Sequence, residues 1–102
     1  MALKVVTKKK FIKQVEKITK YLKAEFGKKA ATDFYNLVND KIDLLIEQPN
    51  IGTQTAIIDV KTVLVGKGKQ NKMYYKVDKG SLVIIDIKDG RINPKRNRFY
   101  KR

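Results

Sequence analysis

The 102-residue sequence contains no cysteine and no histidine, only two prolines and six glycines, and no tryptophan. Without cysteine no disulfide framework can form, and a basic, cysteine-free chain with no signal-like leader is expected in the cytoplasm. Without histidine, serine–histidine and cysteine–histidine nucleophile systems are excluded, and so are the usual zinc sites. Any acid–base chemistry is left to carboxylates, lysine or tyrosine. The apolar runs are only a handful of residues long, too short to cross a membrane, so no membrane role is expected. Asp40 and Asp43 share a helix face, but no second carboxylate pair has metal-binding spacing, so no metal and no cofactor is expected.

What the chain has in excess is positive charge. Twenty-four Lys and Arg face ten Asp and Glu, a net charge of +14 that favours polyanions or acidic protein partners. The charge is segregated. Residues 1–29 carry ten lysines against Glu16 and Glu25, whereas residues 30–60 carry only Lys41 against five acids. Residues 61–102 carry nine lysines and four arginines against Asp78, Asp86 and Asp89. All four arginines lie from residue 91 onward.

One domain spanning 1–102 is expected, with a basic C-terminal tail over 91–102. Leu3 to Thr7 reads as a short strand. Phe11, Val15, Ile18, Leu22 and Phe26 then recur at helical spacing over Lys8 to Phe26, with Thr7 as N-cap and Gly27 as the left-handed stop. A second helix is predicted from Lys29 to Gln48 on Ala30, Phe34, Leu37, Val38, Lys41, Ile42 and Leu45, ended by Pro49. The short Gly27 connection makes the two an antiparallel hairpin. Beyond Gly52 the period changes to two. Strands are predicted over Ala56–Val60, Thr62–Val65, the Met73–Val77 alternation and the apolar run Leu82–Ile87, the last expected at the sheet centre. Asp78-Lys79-Gly80 marks the hairpin turn between the last two. The expected class is α+β: an N-terminal strand, a two-helix antiparallel hairpin, then a three- to four-stranded antiparallel sheet.

Three basic constellations stand out. Lys10, Lys13, Lys17 and Lys20 form a stripe opposite the apolar helix face, which reads either as a phosphate-contacting ridge or as a solvated back face. Lys67, Lys69, Lys72 and Lys76 surround Gly66 and Gly68. Crowded lysines disfavour each other's protonated form, and one so lowered could take a proton from a ribose 2′-hydroxyl. The same residues also suit a solubilising edge hairpin. The Gly-Lys-Gly-Lys run lacks the residues of a nucleotide-binding P-loop. In the tail, Arg91, Lys95, Arg96 and Arg98 stand with Phe99 and Tyr100, a phosphate-clamping and base-stacking composition. A frayed basic terminus has that composition too.

Pro49-Asn50-Ile51-Gly52, the strand Asn71-Lys72-Met73-Tyr74-Tyr75-Lys76-Val77, and Asp89-Gly90-Arg91-Ile92-Asn93-Pro94 occur in an order and spacing that resembles the RelE/ParE superfamily of bacterial type II toxins. The last stretch is similar to the Asp-x-Arg-x-x-Pro ending of ParE-like and plasmid-stabilisation members. The resemblance implies a small basic toxin neutralised by a cognate antitoxin. It also implies one of two targets: DNA gyrase, for ParE-like members, or the ribosome and its mRNA, for RelE-like ribonucleases. Carried over by residue, Lys72 falls where RNA-cutting members place a strand arginine, and Arg91 falls on the arginine ending the last long strand. Lys67 and Lys69 lie near the catalytic lysines but out of register, and Tyr100 lies several residues beyond the family's C-terminal tyrosine. The Glu–His variant is excluded. These departures favour the ParE-like branch. A plain RNA- or DNA-binding module is the remaining reading, because charge alone suffices for it.

Overall fold

The computed structural model describes residues 3–66 and 71–90. Along the chain run β1 (Lys4–Thr7), α1 (Lys9–Phe26), α2 (Lys28–Glu47), β2 (Thr53–Gln54), β3 (Lys61–Val65), β4 (Asn71–Asp78) and β5 (Ser81–Asp89). The strands form one five-stranded sheet in the order β1-β5-β4-β3-β2. This is the expected α+β architecture with one correction: the sheet is mixed. β2 to β5 are antiparallel neighbours, but β1 runs parallel to β5, with Lys4 opposite Ser81 and Thr7 opposite Ile84. No tight turn joins β1 to β5, so nothing local forces them antiparallel. The helical hairpin carries the chain across, as parallel neighbours require.

The two helices pack on one sheet face around Phe11, Ile18, Leu22, Ala31, Phe34, Val38 and Leu45, which meet Val63, Val65, Met73, Tyr75, Leu82, Ile84 and Ile87. Gly27 (φ 98°) ends α1 and starts α2 at once, its N–H donating to the Lys23 carbonyl at 3.1 Å. A side chain there would strain this left-handed backbone. Phe26, predicted in the core, is instead 58% exposed at the last helical position, its ring edge-on to Tyr21. Leu37 is likewise exposed, its side chain lying beside Gly66 at the end of β3. Thr7 does not cap α1. It is the last residue of β1, and Lys8 takes the N-cap position without a side-chain cap bond. The Lys8 N–H donates to the Ile84 carbonyl at 3.0 Å, so the strand ladder claims the backbone up to the helix start. Gln48 leaves the helical region (φ −134°, ψ 71°), as a residue before proline must.

Ala56–Val60 is not a strand. The Gln54 amide donates to the carbonyls of Thr55, Ile57 and Val60, and the Thr55 hydroxyl donates to the Val60 carbonyl at 2.8 Å. These side chains take acceptors that a sheet neighbour would otherwise use, and Asp59 turns the chain at φ 69°. Ile57 and Ile58 are left exposed. The β4–β5 turn has two residues, Lys79 (φ 48°) and Gly80 (φ 81°), with Asp78 opposite Ser81. Two successive left-handed residues match the twist of the strands they join.

Tyr75 ties the helical layer's exit to the sheet. Its ring is fully buried, its hydroxyl donates to the Pro49 carbonyl at 2.7 Å, and it accepts from the Gly52 N–H at 3.0 Å. A Cβ on Gly52 would press into the Tyr75 phenol, 2.8 Å from Cε1 and 2.9 Å from Cζ. The glycine of the Pro-x-x-Gly break is therefore required for close approach to Tyr75. Gly52→Ala should lower unfolding stability by about 2 kcal/mol through overpacking, and Tyr75→Phe by about 1–2 kcal/mol through two lost hydrogen bonds. Because deleting the hydroxyl opens room for the new methyl, the double variant should fall short of the summed loss by about 1 kcal/mol. Urea unfolding of the four proteins measures this cycle, and strict additivity would contradict the contact.

Candidate functional site on the open sheet face

Strand alternation and register define a second face, turned away from the helices. Met73 and Tyr75 point into the core, so Lys72, Tyr74 and Lys76 point to the other side. Their register partners complete three rows: Leu64–Lys72–Lys88, Thr62–Tyr74–Asp86, and Lys76–Val83–Val6. The ladder skips Ile85 between the Tyr74–Asp86 and Tyr75–Ile84 pairs, a β-bulge beside the ring of Tyr74. Such bulges twist a strand and re-aim its side chains.

Of the residues expected from sequence, Lys72 and Lys76 are brought together on this face, with Tyr74 between them. Lys67, Lys69, Arg91, Lys95, Arg96, Arg98 and Tyr100 lie outside the described residues. Asn71 opens β4 and Asp89 closes β5, and the two are register partners, with the Asn71 amide donating to Asp89 Oδ2 at 2.8 Å. Asn71 and Asp89 thus stand side by side at one corner of the sheet. That buried pair is where the Asp-x-Arg-x-x-Pro ending begins.

Sequence reading did not single out Tyr74, Lys88, Asp86 or the role of Lys10. Asp86 is buried, its Oδ1 accepting the Ile87 N–H at 2.8 Å and its Oδ2 lying 3.4 Å from Lys10 Nζ. One lysine of the α1 stripe thus serves an ion pair to the sheet, while Lys13, Lys17 and Lys20 are exposed. Lys88 Nζ lies over the Tyr74 ring, 5.8 Å from its centroid. The period-two pattern Lys72-x-Tyr74-x-Lys76 was the available signal for Tyr74. Nothing local marks Asp86, which interrupts an apolar run.

Burial first, and the Asp86 carboxylate second, push the Tyr74 phenol above its ordinary value of 10.0. Burial also raises Tyr75, against a smaller lowering by the Gly52 N–H. A shallow cleft of about 460 Å³ opens at the far edge, lined by Lys41, Ile51, Thr53, Thr62, Val63, Leu64 and Lys72. There β2 covers β3 only opposite Thr62 and Lys61, so residues 63–65 have no outer strand neighbour among the described residues.

These shifts fix a sign. The folded chain keeps phenol protons that the unfolded chain releases near 10.0, so their stabilisation is complete below pH 10 and is lost as pH rises through the raised folded values. Ultraviolet titration of the phenolate should show tyrosines ionising above 10.0. Asp86→Asn should move Tyr74 only part of the way back, because burial is the larger cause. Full return to the ordinary value would make the carboxylate dominant instead.

With this geometry in place, the chain can be set beside known proteins. No curated protein matches its sequence. A chain of the chromosomal ParDE toxin–antitoxin system from P. aeruginosa superposes with a TM-score of 0.75 at 12% identity, covering 86% of this chain and 96% of that one. A chain of the E. coli DinJ–YafQ toxin–antitoxin complex superposes with a TM-score of 0.63 at 13% identity, covering 91% of this chain and 98% of that one. At such identities these likenesses concern the fold. Residues 5–94 match the family described as the ParE toxin of the type II toxin–antitoxin system parDE, and the chain belongs to that family.

Proposed function

We propose that this toxin acts by binding its target, DNA gyrase, without cutting RNA. The observation that carries this reading is the state of the open sheet face. Ribose-directed cleavage needs an unprotonated group to take the 2′-hydroxyl proton, and Tyr74, whose phenol burial and then Asp86 push above its ordinary value, is poorly suited to that task. Asp86 itself is engaged by Lys10 and the Ile87 N–H. What the face does offer is fixed cation positions, Lys72 and Lys76 on β4 and Lys88 on β5, suited to docking against negative charge.

Neutralisation by a cognate antitoxin belongs to the same reading. The cleft beside β3 combines apolar Ile51, Val63 and Leu64 with Lys41 and Lys72, and it borders backbone without an outer strand neighbour. An acidic, amphipathic antitoxin segment that orders on binding fits such a surface through strand addition and charge.

The second reading, a ribosome-dependent, metal-independent mRNA endoribonuclease, is favoured by the shared corner at Asn71 and Asp89. There Lys72 would act with Arg91 on the scissile phosphate, Lys67 or Lys69 would be the base, and Tyr100 would stack on a base. Expression of the toxin alone should arrest growth, and co-expressed antitoxin should relieve the arrest. Purified toxin should inhibit gyrase supercoiling, and primer extension on mRNA from arrested cells should show no new cuts. Unchanged supercoiling at saturating toxin, with cuts that vanish in Arg91→Ala, would replace the first reading with the second. Loss of one such arginine should lower cleavage about a hundredfold.

A further inference from the structure

We infer that the free chain forms a twofold-symmetric dimer through the β2 edge, each copy lodging Ile57 and Ile58 in the cleft beside β3 of the other. The dimer is independent of the gyrase reading, and while in place it excludes an antitoxin segment from the same cleft.

The loop after β2 supplies the knob. Ile57 is 66% and Ile58 82% exposed, the two most exposed large apolar side chains among the described residues. They do not hang on a loose segment. The Gln54 amide fastens the carbonyls of Thr55, Ile57 and Val60, and the Thr55 hydroxyl accepts from the Ile57 N–H and donates to the Val60 carbonyl. Backbone bonds from Thr55 to Val60 and from Val60 to Ile57 close the loop on itself. Both isoleucines are thus held outward before any partner arrives, which removes an ordering cost from association.

The knob and the cleft flank β2 on opposite ends. The loop closes the β2–β3 hairpin beyond the Gln54–Lys61 pair, whereas the cleft opens past the Thr53–Thr62 pair, along Val63 and Leu64. A twofold axis beside β2, normal to the sheet, exchanges those ends, so each loop meets the other copy's cleft. That self-complementarity is what an isologous dimer requires. β2 is itself the last strand on this side of the sheet, and both its residues are exposed. The axis sets two such strands antiparallel, edge to edge.

Charge selects a second copy as the occupant. Residues 49–60 contain no Lys or Arg, and Asp59 is their one charge, in a chain of net charge +14. Repulsion between two such chains is therefore weakest along this segment. The opposite edge is different: β1 carries Lys4 and runs straight into Lys8, Lys9 and Lys10, the kind of charge that blocks edge pairing. In the dimer Asp59, next to the inserted isoleucines, approaches a cleft lined by Lys41 and Lys72. A polyanion finds no cation on the loop and meets Asp59 instead.

The test is sedimentation velocity of the full-length chain from about 1 to 200 µM in about 0.3 M salt, where repulsion between the two net charges is screened. The sedimentation coefficient should rise with concentration from that of a monomer to that of a dimer. Ile58→Asp should weaken dimerisation about a hundredfold at an unchanged urea midpoint, because the side chain packs against nothing in the single chain's core. The absence of cysteine lets single replacements report the geometry. A disulfide bridges only residues whose Cα atoms lie within about 7 Å, so Thr53→Cys, beside the axis, should link two copies under mild oxidation. Lys4→Cys, on the opposite edge, should not. A monomer at every concentration would overturn the dimer and leave the cleft to the antitoxin segment alone. A dimer indifferent to Ile58→Asp, or one linked through Lys4→Cys and not through Thr53→Cys, would overturn it in favour of another face. Should Ile58→Asp fail to fold, the comparison of Thr53→Cys with Lys4→Cys decides.

Discussion

The bridge from Tyr75 to the Pro49–Gly52 turn governs what the rest of the molecule can present. One hydroxyl satisfies a carbonyl and an N–H of the segment leaving α2, so it fastens the exit of the helical layer to the middle of the sheet. It also selects a register. Tyr74 and Tyr75 are adjacent and identical, and only their alternation with Lys72, Met73, Lys76 and Val77 marks Tyr75 for the core. A slip by one residue would exchange the faces of every side chain in β4. Docking Tyr75 under the turn enforces that assignment and keeps Lys72, Tyr74 and Lys76 on the opposite side. The composition of the open face is thus a consequence of a core contact.

Seen this way, the Pro-x-x-Gly break has two separate jobs. Pro49 ends the helix through the backbone it imposes on Gln48, and its own carbonyl then accepts from Tyr75. Gly52 provides the space in which the phenol lies. The spacing between them is set by the reach of one hydroxyl.

Features governed by neighbours in sequence were legible. Apolar periods gave both helices, Gly27 and Pro49 gave their ends, and period two gave β3 to β5 and placed Lys72 and Lys76 on one face. Features governed by distant partners were not. The direction of β1 depends on pairing with residues 81–84, far along the chain. The apolar Ala56–Val60 segment looked like a strand, but Gln54 and Thr55 satisfy its carbonyls from the side. Lys10 looked like one more solvated lysine until helix packing brought it to Asp86. Tyr74 was visible as an alternating residue, but its bracketing by Lys88 needed the β4–β5 register.

Charge then links the face to its partners. The basic first helix packs antiparallel to a second one of slight negative charge; Lys10–Asp86 ties α1 to the sheet, and Lys29–Asp33 lies within α2. The net charge of +14 acts at long range whichever pairs form, because an internal ion pair leaves it unchanged. Lysines crowded on one face repel one another and lower the stability of the isolated chain. Any partner that supplies negative charge there removes this repulsion as it binds. Binding to the folded form alone adds stability as RT ln(1 + [L]/Kd). An acidic antitoxin would thus gain affinity by relieving that electrostatic stress. Neutralising these lysines would make the free chain more stable and would weaken any association that draws on their charge, so a chain built to bind an acidic partner has reason to retain the strain.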